Sequence, residues 1–125
     1  MSTPVHDEPV WLTVIQVKML HGEVLKLFGG SPGVRDEGLL ESTLGRPKHV
    51  WTYNETASRF DLAAAYGFDI AKNHAFVDGN KRAALLAMRA FLFRNGYRLH
   101  PDEIETVTVV EGLAAGEVDE PGSMA

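Results

Sequence analysis

The sequence predicts an all-α protein: a helical bundle around one central apolar helix, with a short extended flap. Apolar residues recur at helical spacing along most of the chain, and helix-capping residues precede several of these stretches. Residues 82–94 are apolar almost all round, which is typical of a helix at the centre of a bundle. Residues 47–54 are instead rich in β-branched and aromatic side chains, which favour the extended backbone of a flap.

Length and composition fit one folded domain. The chain has 125 residues, of which 45% are hydrophobic and 23% charged, an ordinary balance for a soluble globule. Single domains usually hold about 100–200 residues, so we expect one domain over 1–125, with frayed termini at 1–11 and 117–125. The sequence offers no pattern of a secretory leader or a membrane span, so a cytoplasmic protein without a membrane partner is expected.

The composition also excludes several classes of function. The sequence contains no cysteine, which excludes a disulfide framework, a thiolate zinc site and a cysteine nucleophile. Lys and Arg number 12 against 17 Asp and Glu, which gives a net charge of −5. Neutralising the phosphates of a nucleic acid requires a surplus of basic residues, so no direct nucleic-acid binding is expected.

The first half of the chain predicts two helices. Residues 13–16 have the spacing of a capping box, and apolar residues then follow the helical period until Gly29 ends the element. Asp36 can cap a short second helix, which we expect to stop before Gly45 and Pro47. The extended flap is predicted to come next.

The second half of the chain predicts three more helices. Residues 56–72 form a helix rich in Ala, Phe and Leu, and a polar loop separates it from the apolar helix at 82–94. An Asn-Gly pair directly after the apolar helix is a suitable C-cap. A proline in the first turn opens the last predicted helix, over residues 101–115.

The segment 74–82, with the sequence HAFVDGNKR, carries a set of polar residues between two apolar helices. It ends where a helix begins, so its N–H groups and the helix dipole favour an anion. Gly79 lets a phosphate approach the backbone closely, and Asn80 adds an amide donor. Lys81 and Arg82 add two cations. The segment therefore predicts a phosphate-binding site.

A carboxylate and an imidazole belong to the same segment. Asp78 is suited to hold Mg²⁺, a hard ion that takes one or two carboxylates together with phosphate oxygens. His74 is suited to take a proton from a hydroxyl, because an imidazole titrates near neutral pH. As a transition-metal site the two residues would lack a third ligand. A phosphate cradle, a metal carboxylate and a base are the parts of a phosphoryl- or nucleotidyl-transfer site.

The same segment resembles the active-site motif of the Fic/Doc superfamily, H-x-F-x-[D/E]-G-N-[G/K]-R. The residues around it are similar to the Doc, or death-on-curing, toxin branch, and the resemblance covers roughly residues 13–116. It implies that ATP and Mg²⁺ are used, that His74 is the catalytic base and that Asp78 is the metal ligand. It also implies that the phosphates are held by Gly79, Asn80 and Arg82.

Lys81 stands at the position that separates two activities within this superfamily. Adenylyl-transferring Fic enzymes carry glycine there and a second arginine at the position of Leu85, whereas Doc-type toxins share the lysine. The resemblance thus implies transfer of the γ-phosphate of ATP to a threonine hydroxyl of a translation factor such as elongation factor Tu, which arrests translation. Transfer of AMP, and a non-catalytic scaffold that only binds an antitoxin, stay open as alternatives.

The resemblance further implies a protein partner. In this family a Phd-type antitoxin supplies a helical C-terminal segment that occupies a groove and silences the toxin. The self-inhibitory motif of some Fic enzymes, [S/T]-x-x-x-E-[G/N], is not met, because Val107 stands where Ser or Thr is required before Glu111. Inhibition is therefore expected from a separate chain.

Three residues outside the segment are weaker candidates. Lys72 lies just before it and is a candidate for phosphate binding, although a lysine at a helix C-terminus is favoured by the dipole in any case. Trp51 and Tyr53 are candidates for a substrate groove, because a flap in this superfamily docks the target chain by strand addition; a hydrophobic lid is the alternative. The four other histidines are expected to be structural: His6, His21, His49 and His100.

Overall fold

A computed structural model describes residues 7–54 and 56–97 of the chain. These residues form four helices: α1 (Val14–Phe28), α2 (Glu37–Tyr53), α3 (Arg59–Asn73) and α4 (Asn80–Arg94). Across this part of the chain extended pairing is limited to one isolated antiparallel bridge, between Val34 and Phe76. The all-α prediction is confirmed. None of the four helices is both long and apolar enough to cross a bilayer.

The helices α3 and α4 form the middle of the described bundle and pack most extensively against each other. The helix α3 also packs against α2, and α4 also packs against α1. Three alanines of α4 (Ala83, Ala84 and Ala87) are fully buried, so the neighbouring helices approach its backbone closely. Gly67 of α3 leaves the room that the side chain of Met88 fills. These contacts hold the first turn of α4, where the polar segment ends, in a fixed place.

The predicted helix caps are present. Thr13 Oγ1 accepts a hydrogen bond from the N–H of Gln16 at 3.1 Å, and Gln16 Oε1 accepts one from the N–H of Thr13 at 2.9 Å. This capping box starts α1, and Gly29 ends the helix with a positive φ of 78°. Asp36 Oδ1 accepts from the N–H of Leu39 at 3.0 Å and starts α2. Local sequence thus determines where these helices begin.

The prediction of an extended flap at residues 47–54 is wrong. The prediction that the second helix stops before Gly45 and Pro47 is also wrong. The helix α2 instead continues through Pro47 to Tyr53. Pro47 lacks the N–H that an interior helical residue donates, yet it is fully buried. The reason is a continuous stripe at helical spacing that packs against the bundle and outweighs local propensity. Its buried or half-buried members are Leu40, Thr43, Leu44, Pro47, Val50 and Trp51.

The helix α3 begins at Arg59, three residues later than expected, because Ser58 and Asp61 form a capping box there. The segment before α1 was expected to be frayed, but its described part packs against the bundle. Trp11 stacks on Phe91 with ring centroids 6.0 Å apart. The side-chain amide of Asn95 accepts a hydrogen bond from the N–H of Val10 and donates one to the Val10 carbonyl. The helix expected at 101–115 and the tail at 117–125 lie outside the described residues.

Candidate active site

A cavity of about 460 Å³ opens where the first turn of α4 meets the last turn of α1. Cavities of roughly 300–1,000 Å³ hold drug-sized ligands and cofactors. The polar segment supplies most of the lining, and Val24 and Phe28 of α1 supply an apolar wall. The predicted site residues that line it are His74, Asp78, Gly79, Asn80, Lys81 and Arg82. The fold therefore brings the catalytic and phosphate-binding candidates of the polar segment to one place.

His74 ends α3 in a left-handed backbone conformation, with φ 54° and ψ 48°. Within the described residues it is the only non-glycine residue with a positive φ. This conformation costs roughly 1–2 kcal/mol for a residue with a side chain. The turn carries the chain out of α3 and leaves the His74 side chain exposed at the cavity. Strained backbone conformations are common at functional sites, and here the strained residue is the predicted base.

The side chain of Asn80 bonds the backbone of Phe76, within the loop between α3 and α4. Its Oδ1 accepts from the N–H of Phe76 at 3.1 Å, and its Nδ2 donates to the carbonyl of Phe76 at 3.0 Å. Both side chains are buried, so Phe76 anchors the loop in the core. The Asn80 Nδ2 atom carries two N–H groups, so it keeps one donor beyond the bond to Phe76, and the main-chain N–H is a further donor.

The N-terminus of α4 is suited to bind an anion. The N-cap is Gly79, in a left-handed conformation with φ 75°, and it has no side chain to occupy the N–H groups of the first turn. A Cβ atom at Gly79 would lie 3.2 Å from the side chain of Val24. No acidic residue stands in the first turn of α4. The N–H groups of the first turn, which no side chain caps, and the helix dipole therefore favour a phosphate here.

The two predicted cations next to this N-terminus are exposed and line the cavity. The guanidinium carbon of Arg82 lies 3.8 Å from the centre of the Phe28 ring, a cation–π contact that holds Arg82 beside the apolar wall. Lys81 is the second cation. Lys72 is not among the lining residues: its ammonium lies 5.0 Å from the ring centre of Phe68, on α3. The structure does not bring Lys72 to the site.

Asp78 has the only carboxylate among the lining residues. Its Oδ2 accepts from the N–H of Ser31 at 3.2 Å, and its Oδ1 accepts from the N–H of Gly79 at 2.9 Å. A carboxylate oxygen has two lone pairs, so both oxygens keep acceptor capacity. The described residues contain no cluster of three or more His, Asp or Glu side chains that could hold a metal ion alone. Asp78 fits Mg²⁺ that is bound together with phosphate oxygens, because this ion commonly takes only one or two carboxylates.

Sequence reasoning missed the segment that supports this loop. Residues 31–36 run antiparallel to the loop: the N–H of Arg35 donates to the carbonyl of Ala75 at 2.7 Å, and the N–H of Val77 donates to the carbonyl of Gly33 at 3.1 Å. A Cβ atom at Gly30 would lie 2.9 Å from Asp78 Oδ2. The glycine pair Gly29-Gly30 at the end of α1 is the one signal in the sequence for this close approach.

Two side chains on α1 and the following loop also hold the segment. His21 is buried, and its ring stacks on Phe76 with centroids 3.9 Å apart. The Nε2 atom of His21 is hydrogen-bonded to the carbonyl of Asp78 at 2.7 Å. The side chain of Arg35 donates to the carbonyl of His74 at 2.7 Å. His21 was expected to be structural, and the element that it supports is the candidate site.

Trp51 and Tyr53 do not lie at this cavity. The N-terminal end of α2 adjoins the loop, since the N–H of Asp36 donates to the carbonyl of Ala75 at 3.2 Å. The helix has 17 residues, which at about 1.5 Å per residue puts its other end roughly 25 Å away. There Trp51 packs edge-on against Trp11, and Tyr53 is 84% exposed. The extended backbone predicted for Trp51 and Tyr53 is therefore wrong, since both belong to α2, and a role for them in contacting a protein substrate stays a prediction.

Comparisons with known proteins show the family of the chain. A sequence model described as "Fic/DOC family" matches residues 11–92, well over half of the chain, and the match contains the whole polar segment. The protein kinase doc of Escherichia phage P1 is 36% identical over 99 residues, which cover 79% of this chain and 78% of that protein. The toxin Doc of Mycolicibacterium smegmatis is 45% identical over 76 residues, which cover 60% of this chain and 58% of that protein. With the motif residues gathered in one cavity and this extent of similarity, the chain belongs to the Fic/Doc family.

Proposed function

We propose that this protein is the toxin of a toxin–antitoxin pair and a phosphotransferase that uses ATP. Its substrate is a threonine hydroxyl of a translation factor such as elongation factor Tu, whose modification arrests translation. The observation that carries the proposal is one cavity in which an imidazole, a single carboxylate, two cations and a helix N-terminus converge. Relatives named as a protein kinase and as a toxin support it.

The side chains divide the reaction between them. The first turn of α4, with Lys81 and Arg82, binds the phosphates of ATP and neutralises their charge. His74 takes the proton of the target hydroxyl as the oxygen forms a bond to the γ-phosphorus. The bond from the γ-phosphorus to the β–γ bridging oxygen breaks, and ADP leaves. Asp78 would hold Mg²⁺, which when bound offsets further phosphate charge.

Transfer of AMP is the alternative within the same site. Lys81 favours phosphate transfer, because its bulk and charge stand where adenylyl-transferring members of the family carry glycine. The side chain is exposed at the first turn of α4, directly beside the phosphate-binding N–H groups. A lysine there stabilises a terminal phosphate group and leaves less room for the α-phosphate at the same point.

Labelled ATP tests which group is transferred. The purified protein is incubated with a bacterial translation extract and ATP labelled at either the γ- or the α-phosphate, and the labelled proteins are identified by mass. We expect γ-label and a mass increase of one phosphate on a translation factor. The label should be lost with His74→Ala and kept with Lys48→Ala, a charge change on the exposed surface of α2. Transfer of α-label, with a mass increase of one AMP, would contradict the kinase version of the proposal.

The proposed partner is a Phd-type antitoxin, and the proposed target implies a cytoplasmic location. Expression of the intact protein without the antitoxin should arrest growth, and co-expression should restore it. His74→Ala should abolish the arrest while the variant still binds the antitoxin in a pull-down. If the His74→Ala variant arrests growth as strongly as the intact protein, the protein acts as a scaffold and the catalytic proposal fails.

A further inference from the structure

Arg35, on the segment between α1 and α2, holds the C-terminal end of α3. Its Nε donates to the carbonyl of His74 at 2.7 Å, and its Nη2 donates to the carbonyl of Asn73 at 3.2 Å. The last carbonyls of a helix lack partners within the helix and carry the negative end of its dipole. A guanidinium satisfies two of them with donors fixed in one plane. Arg35 is therefore the charged cap of this helix end.

The residue that receives this cap is the strained one. His74 adopts the left-handed conformation with a φ of 54°, although it has a Cβ atom that disfavours it. Such a conformation persists only where its surroundings impose it. The hydrogen bond from Arg35 acts directly on the His74 carbonyl, so it fixes the peptide plane that follows the strained residue. The direction of the imidazole depends on the same backbone angles.

The side chain of Arg35 is separable from the backbone pairing of its segment. The main-chain N–H of Arg35 bonds to Ala75, and the N–H of Val77 bonds to Gly33, whatever side chain residue 35 carries. Arg35 is also absent from the cavity lining, so it is not positioned to contact bound ATP. A substitution at residue 35 therefore removes the contact with the end of α3 and leaves the phosphate-binding groups in place.

We infer that Arg35 is a positioning residue, which fixes the backbone of His74 so that its imidazole faces the target hydroxyl. This role rests on the proposed function of His74 as the base. It differs from a purely structural role in one respect: the effect of Arg35 on the reaction passes through His74 alone. The loss of Arg35 should lower the rate of the chemical step and should leave nucleotide binding unchanged.

Transfer kinetics with labelled ATP test the inference. Arg35→Ala should lower kcat by about 10²-fold, the loss typical of a misplaced catalytic group, with KM for ATP unchanged. Arg35→Lys should lose less, since it keeps the charge at the helix end but not the paired donors. Arg94→Ala, which removes an exposed arginine from the last turn of α4, is the matched control and should be unchanged. An unchanged kcat in Arg35→Ala would overturn the inference.

A double-mutant cycle separates positioning from general damage. In a His74→Ala background, Arg35→Ala should have no further effect on the residual rate, because the group on which it acts is gone. A further loss of the same 10²-fold would overturn the inference. If Arg35→Ala does not fold, the cycle is run with Arg35→Lys, which retains the charge.

Imidazole NMR gives a readout that needs no activity. The His74 ring signals, assigned by their absence in His74→Ala, should shift in Arg35→Ala, while those of His49 on the far end of α2 should not. Unshifted His74 signals would overturn the inference. If the wild-type protein transfers no label from ATP, the proposed function fails, and the imidazole signals still decide whether Arg35 orients His74.

Discussion

The imidazole of His21 lies parallel to the ring of Phe76, with 3.9 Å between centroids and 9° between the planes, and its Nε2 reaches the carbonyl of Asp78 at 2.7 Å. One side chain of α1 thus holds the candidate site by a ring contact and by a hydrogen bond. The two contacts act two residues apart in the loop. Substitutions at His21 can separate them.

His21→Phe should keep the ring contact and lose the hydrogen bond. The Asp78 carbonyl would then lack its partner in a half-buried position, which typically costs about 1–3 kcal/mol. We expect the free energy of unfolding in urea to fall by this amount, and His21→Ala to lose more because the ring contact goes as well. His49→Phe, at an exposed position, is the control and should be neutral. Equal stabilities of His21→Phe and the wild type would contradict the role of the hydrogen bond.

His74→Gly should be inactive, like His74→Ala, but should fold more stably than His74→Ala. His74→Gly and His74→Ala both remove the imidazole, but only glycine adopts a φ of 54° without strain. We therefore expect His74→Gly to be more stable than His74→Ala by about 1 kcal/mol in denaturant titrations. Alanine as the more stable of the two would show that the backbone at this position is not left-handed in solution.

Alanine substitutions at two glycines should have opposite effects. Gly79→Ala places a Cβ on a residue with a φ of 75°, 3.2 Å from Val24, and should destabilise the protein by about 1–2 kcal/mol. It should also weaken ATP binding, because the first turn of α4 must shift. Gly22→Ala lies inside α1, where a Cβ meets nothing within 4 Å, and should stabilise the protein by about 0.5–1 kcal/mol.

Thermal unfolding and ATP titration calorimetry measure both variants. Gly22→Ala serves as the control for Gly79→Ala, since it makes the same chemical change in the same helix pair without touching the anion site. If the two variants have the same stability, the left-handed conformation of Gly79 does not contribute to the free energy of unfolding.

Tyr66 should make the protein sensitive to alkali. Burial raises the pKa of Tyr66 to about 12, partly opposed by the hydrogen bond that its oxygen accepts from the N–H of Leu12. The Tyr66 hydroxyl ionises near pH 10 in the unfolded chain and near pH 12 in the folded protein. The stability that comes from keeping this hydroxyl neutral is therefore complete below pH 10 and is lost as the pH rises through 12. At pH 11 the loss amounts to about 1.4 kcal/mol.

Tyr66→Phe isolates this effect. The variant lacks the hydrogen bond to Leu12 and should be less stable than the wild type at pH 8. The difference between the two should shrink by about 1.4 kcal/mol at pH 11, as measured by urea unfolding at both values. A difference that stays constant between pH 8 and pH 11 would show that Tyr66 ionises equally easily in the folded and unfolded states.

Local signals in the sequence account for much of the fold. The capping box of α1, the Asp36 cap of α2, the glycine that ends α1 and the apolar periods of α1, α3 and α4 all act within a few residues, so they can be predicted without knowledge of the rest. The helix α2 beyond Gly45 could not be predicted this way. Its Pro47 and the β-branched residues after it oppose a helix locally, and only burial against the bundle decides in its favour.

The candidate site also has one part that local sequence predicts and one part that it does not. His74, Asp78 and the phosphate-binding residues form one contiguous motif, so they could be named in advance. The side chains that hold the motif contact it from 39 residues away, for Arg35, and from 57 residues away, for His21. Both are single residues without a local pattern, and only the tertiary structure brings them to the loop.

These long separations bear on when a newly made chain becomes active. The loop at 74–80 takes its shape from α1 and the segment after it, and its anion site requires the first turn of α4. A ribosome that has released only α1 to α3 carries a polypeptide without a working centre. Under the proposed function, the neutralising protein is needed once α4 has emerged, and synthesis of the two chains in close succession would keep the cell protected throughout.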